Sequence, residues 1–563
     1  MKSEEVNGVV VRIPEVEDYI AYMAEHPGWI NADRRALMEK VVRPTLMRED
    51  VTFDRETYDK CIRFCEKNYY PLFPFQKFLY AMAFLYDQLD RPVFSKFVIL
   101  MGRGNGKDGF AVPLANFLQT PLYGVKNYHV ELVANSEDQI KDTFKVAYDM
   151  LYDNPKFNGL FTVTKELITN TATGSELRYN TSNAKTKDGK RPGVIVFNEL
   201  HAYEGYDQIN VFESALGKVK HGRIFIITTQ GYVREGPLDD TLDICGEILR
   251  TGENPLGWLP FLCRLDDKEE AEDREAWHKA NPSLEFMPIL ADRVEKDYLE
   301  AKRISSKWPE FMTKRMCLPE RSEEHAVTSW ENILRACYRD TERKIPREAP
   351  SPAPGQLCVI GIDYADVRDF ASAGRLTRTE DGEFVWRQHT WICSESPYLS
   401  GIKFPVGNAG LPGFEDFEIT PEPVIPIEAI VRWCEEQMQA FSVVKIVMDT
   451  YRWTLFKELF QAHGFSIESK DNPHGTVRLI RKVASITGIM APTVEKLFSE
   501  GGVNFGDSAI MRWYTNNTSL QVDKFGNHSY GKIEPIRRKN DGFMAFVAAM
   551  YCAELLEEKI VYV

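Results

Sequence analysis

Residues 97–108 read FVILMGRGNGKD, and this stretch decides how the first half of the chain folds. The apolar run predicts a buried strand, and the glycine-rich turn after it predicts a loop that opens a helix. In such a loop, successive backbone N–H groups can surround phosphate oxygens, and Lys107 can neutralise the phosphates of a nucleotide. We therefore predict nucleotide-binding residues at Arg103, Gly104, Asn105, Gly106, Lys107 and Asp108.

The loop departs twice from the usual G-x-x-x-x-G-K-[ST] pattern. Met101 stands at the first glycine of that pattern, and Asp108 stands where a serine or threonine normally binds magnesium. Taken by itself, the loop therefore fits either a phosphate-binding loop or an ordinary glycine-rich turn.

Two later strand ends favour the phosphate-binding loop. Residues 193–199, GVIVFNE, end in Glu199, which we predict to be the general base that activates water. Residues 224–231, IFIITTQG, end in Thr228 and Thr229, which are placed to sense a terminal phosphate. With residues 97–101 and 130–134, these runs make four short apolar strands with helical stretches between most of them. This alternation predicts a parallel α/β sheet.

Asn198 occupies the position before Glu199, where an acid would hold magnesium through water. Asp108 adds a carboxylate where Asn198 lacks one, and we expect both positions to face the same metal. One hypothesis is that the magnesium-directing carboxylate has changed strands, which leaves the net charge of the site unchanged. The alternative is a decayed site that binds nucleotide but hydrolyses it poorly. The sequence leaves both open.

The composition excludes several classes of protein. The 563 residues carry 69 basic and 83 acidic side chains, and the net charge of −14 argues against a general nucleic-acid coat. Nucleic acid would have to bind at local basic patches. A hydrophobic content of 44% excludes a mainly disordered chain. No apolar run approaches the roughly 18 residues of a membrane span, and the ten scattered cysteines predict reduced thiols in an intracellular protein.

The chain has one clear predicted boundary. The prolines of residues 344–355, KIPREAPSPAPG, predict an extended linker. Around it we predict a helical segment at 1–90 that leads into a P-loop ATPase core at 91–255. A helical lid or connector follows at 256–343, and a second catalytic domain occupies 356–563.

Three acids in this second domain predict a metal site. Asp363 and Asp449 end apolar strands, and Asp541 opens an apolar helix, so the three carboxylates can converge on a pair of Mg²⁺ or Mn²⁺ ions. Such two-metal sites cleave phosphodiesters. Asp369 is a weaker candidate for a supporting ligand. The basic residues that we expect to contact DNA phosphate beside Asp541 are Arg537, Arg538 and Lys539.

Taken in order, these motifs resemble the large subunit of a tailed-bacteriophage terminase, the ATPase-nuclease of DNA packaging. The resemblance includes Phe75-Gln76, similar to the family's adenine-contacting motif, and residues 198–202, NELHA, close to its D-E-x-H-A. Residues 228–231 match its coupling motif, and Trp277 with Asn281-Pro282 resembles its W-x-x-x-N-P signature. The resemblance implies that Gln76 contacts the base, that Lys107 and Arg103 contact phosphates, and that Glu199 is catalytic. It also assigns the nuclease metals to Asp363, Asp449 and Asp541.

The resemblance further implies an ASCE-type P-loop ATPase with a parallel sheet, joined to an RNase H-like nuclease. The expected cofactors are ATP and Mg²⁺, with Mn²⁺ as a second metal for the nuclease. The expected partners are double-stranded phage DNA, a small terminase subunit and the portal protein of the procapsid. The chain would work as a ring, usually described as pentameric, in the cytoplasm of the infected bacterium, and would contact no membrane and be absent from the mature virion.

Other functions remain open on the sequence alone. The main alternative is a metal-dependent nuclease whose degenerate nucleotide-binding domain has no motor activity. A non-catalytic assembly module is a third reading, which the acid triad argues against. A helicase is less favoured because nothing resembles a second RecA-like domain.

Overall fold

The computed structural model describes residues 11–180, 191–203, 205–232, 236–304, 307–319, 326–348, 350, 353, 355–365, 370–481, 483–522, 528–532 and 538–557. The chain forms two compact units, residues 1–320 and 321–563, and each contains a large sheet of its own. Helices accompany both sheets, so both units are α/β, as the alternation of strands and helices predicts.

Helices and a short hairpin precede the main sheet of the first unit. Tyr19 of the first helix stacks on Phe78 of the fifth, with ring centroids 4.9 Å apart, and both rings lie against Phe261 of the sheet. The segment therefore belongs to the same core as the sheet. Its elements are α1 (Pro14–Glu25), α2 (Ala32–Ala36), α3 (Arg43–Leu46), β1 (Val51–Phe53), α4 (Arg55–Asn68), α5 (Pro74–Ala83) and β2 (Leu85–Asp87).

The main sheet of this unit has eight strands in the order β10-β3-β9-β8-β4-β7-β6-β5. Pairing is parallel from β10 through β7 and antiparallel for β6 and β5. The elements are β3 (Lys96–Leu100), α6 (Lys107–Leu118), β4 (His129–Val133), α7 (Glu137–Leu151), β5 (Phe161–Val163), β6 (Leu167–Asn170), β7 (Glu176–Asn180), β8 (Pro192–Asn198), α8 (Asp207–Glu213), β9 (Arg223–Thr228), α9 (Pro237–Thr251) and β10 (Trp258–Leu262).

The four predicted strands are confirmed as β3, β4, β8 and β9, each within two residues of its predicted bounds. β9 lies between β3 and β8 and is parallel to both. Because parallel strands end at the same edge of a sheet, the segments that follow β3, β8 and β9 emerge side by side. This edge carries the predicted nucleotide site.

A small helical subdomain follows β10 in the first unit. Its main helices are α10 (Pro288–Arg303) and α11 (Trp308–Lys314). Its separate apolar core is built on the clustered rings of Trp277, Tyr298 and Phe311. We call residues 265–319 the lid.

The second unit contains a six-strand path, β16-β15-β14-β13-β17-β18, with β19 paired to β15. Its elements are α12 (Trp330–Cys337), β11 (Tyr338–Asp340), β12 (Ile345–Pro346), β13 (Leu357–Asp363), β14 (Ala371–Arg378), β15 (Phe384–Cys393), β16 (Phe417–Thr420), α13 (Ile427–Ala440), β17 (Ser442–Asp449), α14 (Thr450–Ala462), β18 (Val477–Ile480), α15 (Thr487–Ser499), β19 (Val503–Asn504), α16 (Ala509–Asn517), β20 (Thr518–Val522), β21 (His528–Lys532) and α17 (Asp541–Met550).

The strand order of this sheet is that of an RNase H-like domain. β13, β14 and β15 form an antiparallel meander, and β17 and β18 continue the sheet parallel to β13 on its other side. Helix α17 packs on β13 so closely that a Cβ at Gly361 would lie 1.9 Å from the carbonyl oxygen of Ala545. Only glycine at position 361 therefore allows the first residue of α17 to sit beside the end of β13.

The two units divide earlier than the proline-rich stretch at 344–355 predicts. The division falls between residues 320 and 321, so the predicted lid loses its last residues to the second unit. Ala336 and Cys337 of α12 are buried in the second unit's core, and β11 pairs with β12 at the start of the proline-rich stretch. At its other end, the predicted lid range contains β10, a strand of the first unit's sheet. Local composition marked the prolines but not these tertiary contacts.

Within the described residues, every helix is too short or too polar to cross a bilayer. All ten cysteines belong to the described part of the chain, where each is a buried free thiol, as their scattered spacing predicts.

Candidate nucleotide and metal sites

The loop predicted to bind phosphate connects β3 to α6. The helix begins at Lys107, and Gly104 and Gly106 before it have φ angles of +93° and +75°. These angles lie in the left-handed region, which glycine adopts without steric strain. Because the loop ends at a helix N-terminus, with its unpaired N–H groups and the positive end of the helix dipole, it is suited to receive an anion.

Lys107 and Glu199 meet at the edge of the sheet. Lys107 Nζ lies 3.7 Å from Glu199 Oε1, and the lysine side chain is only 7% exposed. Glu199 follows β8 with a φ of +53°, a strained angle for a residue with a side chain. Its Oε2 accepts hydrogen bonds from the N–H of Thr229 (3.3 Å) and from the ring of His201 (2.9 Å). The structure thus brings three of the predicted residues together at the ends of three adjacent strands, β3, β9 and β8.

These contacts determine the charge of Glu199. Burial by itself would raise the pKa of Glu199, but the Lys107 ammonium and the hydrogen bonds from His201 and Thr229 outweigh it and lower the pKa to about 2. Burial also lowers the pKa of His201, so at pH 7 its ring is neutral and Nδ1 donates to the carboxylate. Glu199 is therefore ionised at neutral pH, as a group that takes a proton from water must be.

The two residues that depart from the usual motif contact each other. Asn198 Nδ2 donates to Asp108 Oδ1 at 3.1 Å and to Thr143 Oγ1 at 2.6 Å, and the Thr143 hydroxyl donates to Asp108 Oδ1 at 2.8 Å. Burial raises the pKa of Asp108, although these hydrogen bonds oppose the shift. Asp108 and Asn198 therefore share one polar cluster, as expected for positions that face a common metal.

Two predicted nucleotide ligands bond to other parts of the protein. Gln76 is buried, and its Oε1 accepts the N–H of Phe73 at 2.9 Å, which caps helix α5. Asn105 is fully buried and donates through Nδ2 to Gly102 O at 3.0 Å and to Asn281 Oδ1 at 2.7 Å. The Asn105 side chain thus connects the phosphate loop to the lid. A phosphate would therefore bind the backbone N–H of Asn105 and not its side chain.

The side chains of Arg103 and Thr228 also have partners within the protein. The Arg103 side chain is half-exposed, and its Nη1 donates to Glu310 of the lid at 3.3 Å. The hydroxyl of Thr228 accepts the N–H of His201 at 3.1 Å and donates to Thr229 O at 2.9 Å. Thr228 therefore connects the β9 end to the segment that carries Glu199.

Three residues near the nucleotide loop had no signal in the sequence. Thr143 lies inside α7, and Lys314 and Arg315 lie at the end of α11, so no local motif marks them. Arg315 Nη1 donates to the carbonyl of Arg103 in the phosphate loop. The W-x-x-x-N-P signature is the sequence motif that contacts Arg315, because Nδ2 of its Asn281 donates to Arg315 O at 2.9 Å.

In the second unit, the three predicted aspartates line one cavity. Asp363 and Asp449 end the adjacent parallel strands β13 and β17, and Asp541 is the first residue of α17. The open cavity between them has a volume of about 380 Å³. A helix N-terminus favours the ionised carboxylate of Asp541. The three strand and helix ends that the sequence singles out thus border the same cavity.

The donor atoms fit a divalent metal in kind. Carboxylate oxygens are the ligands that Mg²⁺ and Mn²⁺ prefer. Within the described ranges, no three Asp, Glu, His or Cys side chains lie close enough together to hold a metal ion as they stand, so metal binding by the aspartates that line this cavity stays a prediction. Lys532 Nζ lies 3.4 Å from Asp541 Oδ1 and partly neutralises that carboxylate.

The described basic residues before Asp541 are buried and bond to other parts of the protein. The side chains of Arg538 and Lys539 are buried, at 7% and 2% exposure. Arg538 Nη1 donates to Asn517 Oδ1 at 3.2 Å, and Asn517 Nδ2 donates to Lys539 O at 3.2 Å. These contacts anchor the segment in front of Asp541 to the end of α16, and direct contact with DNA stays a prediction. Arg537 and Asp369 lie outside the described residues.

Two domain models of known proteins match successive segments of the chain. The ATPase domain of the terminase large subunit matches residues 74–247, and its endonuclease domain matches residues 256–399. The two matched segments together span more than half of the chain. This chain belongs to the terminase large subunit family. It is an ATPase and a DNA endonuclease of a DNA-packaging motor, and it uses a nucleotide and a divalent metal.

Two curated relatives and one solved structure are similar to the chain over most of its length. The chain is 19% identical over 542 residues to the terminase large subunit of Lactococcus phage p2, covering 91% of this chain and 95% of the relative. It is 22% identical over 502 residues to the terminase large subunit of Enterobacteria phage HK97, with 85% and 90% covered. The crystal structure of the HK97 large terminase aligns with 89% of this chain and 100% of its own, at 18% identity and a TM-score of 0.46.

Proposed function

We propose that ATP is the nucleotide, that Lys107 and Glu199 form the centre that hydrolyses it, and that turnover drives double-stranded DNA into a procapsid. The observation that carries this proposal is the 3.7 Å contact between Lys107 Nζ and Glu199 Oε1 at the ends of two parallel strands. ATP hydrolysis needs a cation for the phosphates and a carboxylate that positions and deprotonates water, and both groups meet here.

Phosphate binding would change the partners of Glu199. An arriving phosphate competes for the Lys107 ammonium, which now lies against the carboxylate. Loss of that contact raises the low pKa of Glu199 and makes the carboxylate a stronger base toward water. The N–H of Thr229 and the ring of His201 keep the carboxylate oriented meanwhile.

Asp108 and Asn198 would hold the Mg²⁺ that accompanies ATP. The metal supplies positive charge to the phosphate oxygens. The pair offers one carboxylate and one amide oxygen, and Thr143 adds a hydroxyl, so the set contains a single negative charge. The usual arrangement also has one carboxylate, but on the other strand end. The contact between Asp108 and Asn198 therefore supports the hypothesis that the carboxylate has changed strands.

The nuclease site would hold Mg²⁺ or Mn²⁺ through Asp363, Asp449 and Asp541. Metal at this position activates water and stabilises the leaving oxygen in phosphodiester cleavage. The cavity that the three aspartates line supports this assignment. The substrate we propose is concatemeric double-stranded DNA.

Membership of the family is the basis on which we propose the remaining partners. We propose that the chain works as a pentameric ring on the portal protein and receives DNA from a small terminase subunit. The site of action would be the cytoplasm of the infected bacterium, and the chain would not remain in the mature virion.

Two alanine variants and two controls test the proposal. Full-length wild type, Lys107→Ala and Asp363→Ala are assayed for DNA-stimulated ATP turnover and for plasmid cleavage with Mg²⁺ or Mn²⁺. We expect Lys107→Ala to lose ATP turnover alone and Asp363→Ala to lose cleavage alone. The exposed residues Lys126 and Asp381 provide matched controls, Lys126→Ala and Asp381→Ala, which should keep both activities. Wild-type levels of ATP turnover in Lys107→Ala would refute the assigned ATP site.

A further inference from the structure

Lys314, at the end of α11, connects the lid to both loops of the nucleotide site. Its carbonyl oxygen accepts the N–H of Arg103 in the phosphate loop at 2.8 Å and the hydroxyl of Thr229 at 3.3 Å. Its ammonium donates to the carbonyl oxygen of Gln230 at 2.8 Å. One buried residue thus touches the phosphate loop and the coupling segment at residues 228–231 together.

The Lys314 ammonium has an unusual environment for a buried cation. Its side chain is 8% exposed, and among the described residues no carboxylate oxygen lies within 4.0 Å of its Nζ. Its partners there are the Gln230 carbonyl and the ring of Tyr232, whose centroid is 5.5 Å away. A buried charge that lacks an opposite charge destabilises the folded protein. An anion that arrives beside Lys314 would relieve this penalty.

The charges around Lys314 point in the same direction. Burial lowers the pKa of Lys314 to about 8, and the positive charges of Arg103 and Lys107 contribute to this lowering, while Glu199 opposes it. Three cationic side chains, those of Lys314, Arg103 and Lys107, therefore act on the same small region, and Glu199 is the carboxylate that opposes them. Such an excess of positive charge at the end of a phosphate loop is suited to the terminal phosphates of a nucleotide.

We propose that Lys314 is a second cationic contact for the terminal phosphate of bound ATP, reached when its ammonium leaves the Gln230 carbonyl. This inference rests on the proposed ATP site at Lys107. The transfer would release the coupling segment from the ammonium, while the Lys314 carbonyl keeps its bonds to Arg103 and Thr229. Loss of the terminal phosphate after hydrolysis would return the ammonium to Gln230. Lys314 would thereby report the state of the nucleotide to the lid.

Arg315 provides a matched comparison from the adjacent position. It also ties the lid to the phosphate loop, because its Nη1 donates to the Arg103 carbonyl. Unlike Lys314, it is neutralised by a carboxylate, with Nε and Nη2 at 2.9 Å and 2.7 Å from Asp297 Oδ2. Arg315 therefore has a structural role at the loop and no unneutralised charge to offer to phosphate.

The test compares the binding of ATPγS and ADP, with Mg²⁺, to full-length Lys314→Met, Lys314→Arg and Arg315→Met. A charge-assisted hydrogen bond to a phosphate contributes roughly tenfold to a hundredfold in affinity. We expect Lys314→Met to lose that factor for ATPγS and to bind ADP as wild type does. Lys314→Arg should retain most of the preference for ATPγS. Arg315→Met should weaken both nucleotides equally.

Two further results decide the inference. Equal weakening of ATPγS and ADP in Lys314→Met, or no weakening, would show a structural link only and overturn it. Thermal unfolding checks that Lys314→Met is folded. If it is not, Lys314→Gln replaces it, because the amide can still donate to the Gln230 carbonyl and carries no charge. Failure of the proposed ATP site looks different: wild type would then bind neither nucleotide, or Lys107→Ala would bind ATPγS as wild type does.

Discussion

Exchanging the residues that depart from the usual motif tests whether the magnesium carboxylate has changed strands. In Asn198→Asp, a second carboxylate replaces the amide whose nitrogen lies 3.1 Å from Asp108 Oδ1. Two unit charges about 4 Å apart repel by about 4 kcal/mol at an effective dielectric constant of about 20. This repulsion changes proton affinity by a factor of roughly a thousand. We therefore expect one of the two carboxyls to stay protonated near pH 7 and ATP turnover to fall.

The reverse single change removes the carboxylate. Asp108→Ser leaves Asn198 and Thr143 with no negative charge between them, and loss of such a group commonly lowers metal affinity about tenfold to a hundredfold. The double variant Asp108→Ser/Asn198→Asp restores one carboxylate beside one hydroxyl. If the carboxylate has changed strands, the double variant should recover most of the ATP turnover that each single variant loses.

The assay is DNA-stimulated ATP turnover against Mg²⁺ concentration for all four forms. Asp142→Ser, an exposed acid on the same helix as Thr143, controls for the loss of any nearby carboxylate. If the double variant loses less ATP turnover than the two single variants together predict, the result supports the hypothesis that the carboxylate has changed strands. Equal activity in all four forms would refute it. A decayed site predicts a third pattern, in which the double variant has a higher ATP turnover than wild type because it regains the usual motif.

Two other predictions concern packing and charge. Gly361→Ala should lower plasmid cleavage by about a hundredfold and leave ATP turnover unchanged, because the new Cβ would lie 1.9 Å from Ala545 O and displace α17, and a shift of about 1 Å in a catalytic group has an effect of that size. Gly407→Ala is the control, because a Cβ at position 407 meets open space. Normal cleavage in Gly361→Ala would contradict the prediction. Glu199→Gln should be less stable than wild type by about 3 kcal/mol at pH 7, because the folded chain holds the pKa of Glu199 at about 2 against an ordinary 4.5. The stabilisation from the ionised Glu199 is present above pH 4.5 and is lost as the pH falls toward 2. In urea unfolding, the free energies of unfolding of wild type and Glu199→Gln should therefore become more similar as the pH falls through this range. A difference in unfolding free energy that stays constant between pH 7 and pH 3 would count against the prediction.

Most of the first unit's site could be predicted because its signals are local. The apolar runs that become β3, β8 and β9 each end in the residues that carry chemistry, and parallel strands place those ends on one edge. The contact between Asp108 and Asn198 follows from the same rule. In the second unit, Asp363 and Asp449 were marked in the same way by the strands that precede them.

Other parts of the sites depend on contacts between distant segments. Lys314 looks like any lysine at a helix end, and its burial against Gln230 arises only when the lid packs on the first sheet. Arg538 was expected at a DNA surface because it is basic and close to Asp541. Its burial against Asn517, 21 residues away, has no local signature. The boundary between the two units also has no local signature, because α12 belongs to the second unit only through the side chains that it buries in that unit's core.

The sequence by itself determined the strands, the phosphate loop, the acids and their order, because each depends on neighbours within a few residues. The tertiary structure decided which charges meet. It set Lys107 against Glu199, paired Asp108 with Asn198, and buried Lys314 beside both nucleotide loops. The physical reason is that electrostatic interactions depend on distance and burial, and both are properties of the folded chain.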